Sequence, residues 1–233
     1  MMRAGSCSSC LVSEDKSGYW TPALYFEDQT TGQFELVEQV GGMLAYVPHP
    51  HPHTPIPLPW LTKSDRYYLQ RGENITAFPP GFAMLAGKAN RRVYTAGDMY
   101  QSDPDQSDWA ALGQTTQEFL EQRAIGFNCL NYGRIPEGTL YRHYMPDKDY
   151  LTANCISGLR AELAFPMCWN GVDIDSPNHK DHVAYASLIL NGDCPDTHPY
   201  RIPLLLYETI WNVVAYQSRN GRFVWSNGDP TGE

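Results

Sequence analysis

Short apolar or alternating runs, each bounded by glycine, proline, asparagine or aspartate, recur along this chain and restrict it to a β-rich fold. They occupy residues 19–26, 34–40, 125–130, 159–165, 182–190, 202–211, 213–216 and 222–225, and all are read as strands. In 159–165 the residues Leu159, Ala161, Leu163 and Phe165 fall at every second position. That spacing predicts one face on a core and puts Glu162 and Ala164 on the other, mostly polar, face. Turn chemistry separates the runs, as in Trp169-Asn170-Gly171 and Asn191-Gly192-Asp193. Nineteen glycines, 18 prolines and 15 tyrosines agree with a loop-rich β chain and argue against a helical bundle. The expected fold is mainly β: a disulfide-stapled β-sandwich or jelly roll with long loops, in which two sheets bury alternate residues against each other.

One short helix is expected near residues 108–123, with Ser107 or Asp108 as N-cap and Trp109, Leu112, Thr116, Phe119 and Leu120 near helical spacing; Gly113 weakens it. Residues 47–66 carry six prolines and alternate His49, His51 and His53. Proline removes backbone donors, so this stretch is a proline-rich loop rather than a central strand, and its alternating histidines would otherwise read as a soft metal tract. At 233 residues the chain is within the range of one β domain, and a single domain over 1–233 is expected.

A net charge of −9, with no basic run, opposes binding to phosphate backbones and anionic lipid surfaces, so neither nucleic acid nor membrane is expected as a partner. No segment approaches 18 consecutive apolar residues. Six cysteines without paired CxxC units suit disulfides better than a zinc ribbon, and the sequon Asn74-Ile75-Thr76 suits glycosylation in the same secretory route. An extracellular monomer is expected, although Met1-Met2-Arg3-Ala4-Gly5-Ser6 contains no apolar signal core.

Chemistry concentrates in residues 155–198, which hold three cysteines, three histidines, Trp169 and several carboxylates. Asp173, Asp175, His179, His182 and His198 form a possible divalent-metal ligand set; the bland reading is a turn at Asp175-Ser176-Pro177 with histidines bonding the loop in place. No cofactor is expected. Cleavage of a glycosidic bond needs two carboxylates with separated pKa values. Asp175, Glu208, Asp229 and Glu162 are the candidates, each with the alternative of a turn former or a paired strand residue. Trp169 is the first choice for a sugar-stacking platform, followed by Trp20 and Trp211, set against the alternative that each is core. There is no GxSxG for a serine hydrolase.

Several stretches resemble a secreted fungal family known as domain of unknown function number nineteen ninety-six, often paired with WSC cell-wall-binding modules. They include Tyr19-Trp20-Thr21-Pro22-Ala23-Leu24-Tyr25-Phe26, Tyr68-Leu69-Gln70-Arg71-Gly72, Cys129-Leu130-Asn131-Tyr132 and Gly158-Leu159-Arg160-Ala161. Phe165-Pro166 with Cys168-Trp169, Asp175-Ser176-Pro177 followed by His179, Lys180 and His182, and Ser226-Asn227-Gly228-Asp229-Pro230-Thr231-Gly232 complete the resemblance over nearly the whole chain. Against that family the chain reads as truncated at both ends, with residues 47–66 inserted. The resemblance implies an extracellular fungal protein near a cell wall and brings no activity with it.

Six cysteines allow 15 pairings. The pairing expected here joins Cys129 to Cys155 and Cys168 to Cys194, closing two loops of about 26 residues worth roughly 3 kcal/mol each. Cys7 and Cys10 either pair together or have lost a partner. The functional expectation is a wall-associated protein that acts on or binds polysaccharide. Either it is a glycoside-hydrolase-like domain, with Asp175, Glu208, His179 and His198 catalytic and Trp169, His182, Arg160 and Asp229 holding ligand, or it is a non-catalytic glycan-binding or wall-structural module.

Overall fold

The computed structural model describes residues 17–46, 75–99 and 101–226, with backbone only at 42–46. Residues 47–66, Asn74, Asp229, Cys7 and Cys10 lie outside the described residues.

The fold is mainly β, and every strand pairing is antiparallel. Ten strands form three sheets among the described residues. The first sheet runs β10 (Gly221–Trp225), β1 (Leu24–Asp28), β2 (Phe34–Leu36). The second runs β3 (Gln39–Tyr46), β9 (Leu206–Trp211), β5 (Leu159–Ala164), β4 (Ile125–Cys129). The third joins the short strands β7 (Val183–Ala184), β6 (Cys168–Trp169) and β8 (Tyr200–Arg201).

The first two sheets enclose one core. Leu24, Phe26 and Phe223 from the first cluster with Ile125, Phe127, Leu159 and Trp211 from the second. Phe26 meets Phe223 and Tyr216 at ring-centroid distances of 5.4 and 4.7 Å. A second core of Leu120, Ala164, Met167, Cys168, Leu204 and Leu206 carries the chain toward the third sheet. The disulfides are Cys129–Cys155 and Cys168–Cys194, each across 26 residues, as expected.

Several elements differ from the sequence reading. Helix α1 spans Gln117–Arg123 only, capped by Thr116 Oγ1, which accepts from Phe119 N at 3.3 Å. Gly113 sits at φ +70°, so the chain before it makes a 3-10 turn at Gln106–Asp108 and further turns instead of a continuous helix. A second helix, α2 (Lys148–Asn154), was not anticipated; Asp147 caps it and Leu151 is its single buried residue, too little for a periodic signal. The run 213–216 is 3-10 helix rather than strand, and of 182–190 only Val183–Ala184 pairs, because Ile189 turns at φ +65°.

Strand β5 departs most informatively. Glu162 and Ala164, expected on the polar face, are 3% and 0% exposed, while Ala161 and Leu163 are half-buried. Both faces of β5 are covered: Leu159, Ala161 and Leu163 pack on the first core, while on the other face Ala164 joins the second core and the backbone at Leu140 reaches over Glu162.

Candidate functional site

Strands β5 and β9 place Glu162 opposite Glu208 in register, with Arg160 opposite Ile210 two pairs further along and so on the same face. Arg160 Nε lies 3.0 Å from Glu162 Oε1 and 3.6 Å from Glu208 Oε1, so one guanidinium serves two carboxyls. Glu162 Oε2 accepts from Leu140 N at 2.6 Å and from Asn128 Nδ2 at 2.9 Å, whereas its buried Oε1 receives no N–H donor. Burial, above all, pushes Glu162 up to about 7; Arg160 and the Leu140 amide pull it down, and Glu208 pushes it further up. When protonated, the Glu162 carboxyl can donate to Glu208 across the strand pair.

The end of β4 and the following loop build the opposite wall. Glu137 accepts from Cys129 N at 2.6 Å and pairs with Arg142 at 3.0 Å, and Arg142 lies over the Tyr150 ring at 4.7 Å. Asn131 Oδ1 accepts from Gly133 N at 3.1 Å, an Asx turn that carries the loop outward. Strand β3 contributes Gly41, where a Cβ would fall 2.8 Å from Ile210 Cβ; its register shifts on both sides of that position. Between these parts is a cleft of about 330 Å³ whose polar lining includes Asn128, Asn131, Glu137, Arg160 and Glu208. Tyr132 also lines it and is 84% exposed, so its ring is an open face at the rim.

Of the residues singled out in the sequence, Glu208, Arg160 and Glu162 come together here. Asp175, His179, His182 and His198 do not line this cleft. They bond a loop together elsewhere: His179 Nδ1 to Asp175 Oδ1 at 2.6 Å, His182 Nδ1 to Ser176 Oγ at 2.9 Å, and His198 Nε2 to the Asp181 carbonyl at 3.0 Å. The His179 contact holds the Asp175 carboxyl below its usual range, and burial pushes the His182 imidazole down. Among the described residues no group of three or more His, Cys, Asp or Glu is placed to hold a metal ion. Trp169 and Trp211 are core residues at 9% and 3% exposure; Trp169 Nε1 donates to the Asp173 carbonyl and its ring touches Phe82. Trp20, at 54%, is exposed.

Asn128, Glu137 and Tyr132 were not anticipated. They sit at a strand end and in a loop, where no periodicity marks them; the one usable signal was the stretch Cys129-Leu130-Asn131-Tyr132, which carries part of the family resemblance. The whole chain, residues 1–233, matches the family model described as domain of unknown function (DUF1996). No curated protein and no solved structure matches it.

Proposed function

We propose that this chain, which belongs to the DUF1996 family of unknown function, is an extracellular glycan-binding protein whose ligand occupies the cleft between β9, β5 and the loop after β4. One observation carries this reading: amide, carboxylate and guanidinium groups converge in a cleft with an open tyrosine face at its rim. Sugars need both, because their hydroxyls bond planar polar groups while their C–H faces stack on aromatic rings. Two disulfides support an oxidising compartment, and the family resemblance supports a fungal wall as the source of polysaccharide.

A second reading, glycoside hydrolysis, is favoured by the carboxyl of Glu162 holding its proton near neutral pH behind Glu208. Glu162 and Glu208 abut each other and therefore do not straddle a glycosidic bond. In this reading the straddling pair is Glu208 and Glu137, which line the same cleft, and Glu162 resupplies the proton.

Incubating the protein with a panel of fungal and plant polysaccharides, and measuring bound protein and released reducing ends together, tests both readings. Pull-down without product supports the binding module. Product that disappears in Glu208→Gln, with binding retained, supports the hydrolase, and neither binding nor product overturns both.

A further inference from the structure

The cleft has an unbalanced charge. Its lining carries two carboxyls, Glu137 and Glu208, and one guanidinium, Arg160, with Glu162 and Arg142 behind it. Glu137 is matched by Arg142 and bonded to the Cys129 amide. Arg160 is drawn to Glu162 at 3.0 Å, which leaves Glu208 with that guanidinium only at 3.6 Å and, among the described residues, with no N–H donor within hydrogen-bond distance. Behind it Glu162, 3% exposed, turns a donorless Oε1 toward the same point.

Resting on the glycan reading above, we propose that the cleft selects amino sugars carrying a free ammonium group, as in a polymer of β-linked glucosamine, over neutral and uronic-acid sugars. The ammonium supplies three N–H donors on a compact cation, which is what Glu208 lacks. Seated beside Glu208, it also favours the ionised form of Glu162 behind. A uronate would meet Glu208 and Glu137 across the cleft in a chain of net charge −9, and would be repelled. A bare divalent ion is a poorer occupant, because the Arg160 guanidinium already stands between the two carboxyls.

The test is calorimetric titration of the full chain, in mildly acidic buffer, with hexamers of glucosamine, N-acetylglucosamine and galacturonate. The glucosamine hexamer is expected to bind about tenfold more tightly than its acetylated counterpart, with an advantage that shrinks as salt is raised. Glu208→Gln should remove that advantage, so that the glucosamine and N-acetylglucosamine hexamers bind within about twofold of each other, and an unchanged thermal unfolding transition reports that the variant is folded. Equal or tighter binding of the acetylated or galacturonate hexamer, or an advantage that survives Glu208→Gln, overturns the preference and leaves the glycan reading standing. Absence of binding by all three hexamers overturns both.

Discussion

Glu162 and Glu208 face each other across paired central strands, with Arg160 within 3.0 Å of the first and 3.6 Å of the second. For Glu162 the folded-state value, about 7, stands above the ordinary 4.5, so the folded chain binds the proton more tightly than the unfolded chain. Stability from this group is therefore full below the unfolded value and is lost as pH rises through the folded one. The difference corresponds to roughly 3 kcal/mol lost between about pH 4.5 and pH 7. Glu162→Gln keeps an oxygen for Leu140 N and Asn128 Nδ2 and mimics the protonated form. Urea denaturation across that window should show wild-type stability falling relative to Glu162→Gln, and His182, whose imidazole burial pushes down, is common to both chains. A constant or rising difference in favour of the wild type would sink the assignment.

Tyr132 and Trp169 separate a binding aromatic from a core aromatic. Tyr132 is 84% exposed at the cleft, so Tyr132→Ala should leave the unfolding free energy within about 0.5 kcal/mol of wild type while weakening glycan binding by about tenfold. Trp169 packs with Val183 and Ile202 and bonds the Asp173 carbonyl, so Trp169→Ala should cost roughly 3–5 kcal/mol. Thermal unfolding and glycan titration of both variants check the pair of outcomes. Equal loss of binding with unchanged stability in the two would remove the distinction.

The sheet was more legible in the sequence than the cleft. Runs 125–130, 159–165 and 222–225 match strands to within a residue because their side chains commit to a packed face. Glu162 was legible as a carboxylate on a strand but not as a buried one, since its cover comes from Leu140 in a distant loop. Runs 182–190 and 213–216 are apolar enough for strands, yet the positive φ of Ile189 and the 3-10 turn at Val213–Tyr216 follow from tertiary packing that local pattern does not carry. Glu208 and Arg160 could be nominated one at a time; their meeting depends on the register of β5 against β9, which only the folded sheet specifies.

The Cys168–Cys194 bond ties the third sheet to the loop that ends at β8. Closing 26 residues restricts the unfolded chain, and its removal in the double variant Cys168→Ser, Cys194→Ser should cost roughly 3 kcal/mol. Both sulfurs lie outside the lining of the cleft, so glycan binding by the folded fraction should be unchanged. Chemical denaturation and titration at a temperature below the variant's transition measure the two effects, and a loss of affinity equal to the loss of stability would contradict the separation.

Gly126 connects the core to the carboxyl pair through simple lack of space. A Cβ there would lie 2.7 Å from Glu162 Oε2 and 2.8 Å from Leu140 Cα, and the second contact is backbone that cannot rotate away. Gly126→Ala must therefore move either the Leu140 turn or the Glu162 carboxyl, and overpacking of this kind costs about 1–3 kcal/mol. Displacing Leu140 N from Glu162 Oε2 also removes a donor that favours the ionised carboxylate, so the proton should be held more tightly. Relative to wild type, the fall in stability should begin near the same pH and extend further toward alkaline pH. Denaturation midpoints measured across that range check it; a Gly126→Ala chain that is destabilised equally at every pH would show that the Leu140 N–H still reaches Glu162 Oε2 and would contradict the prediction.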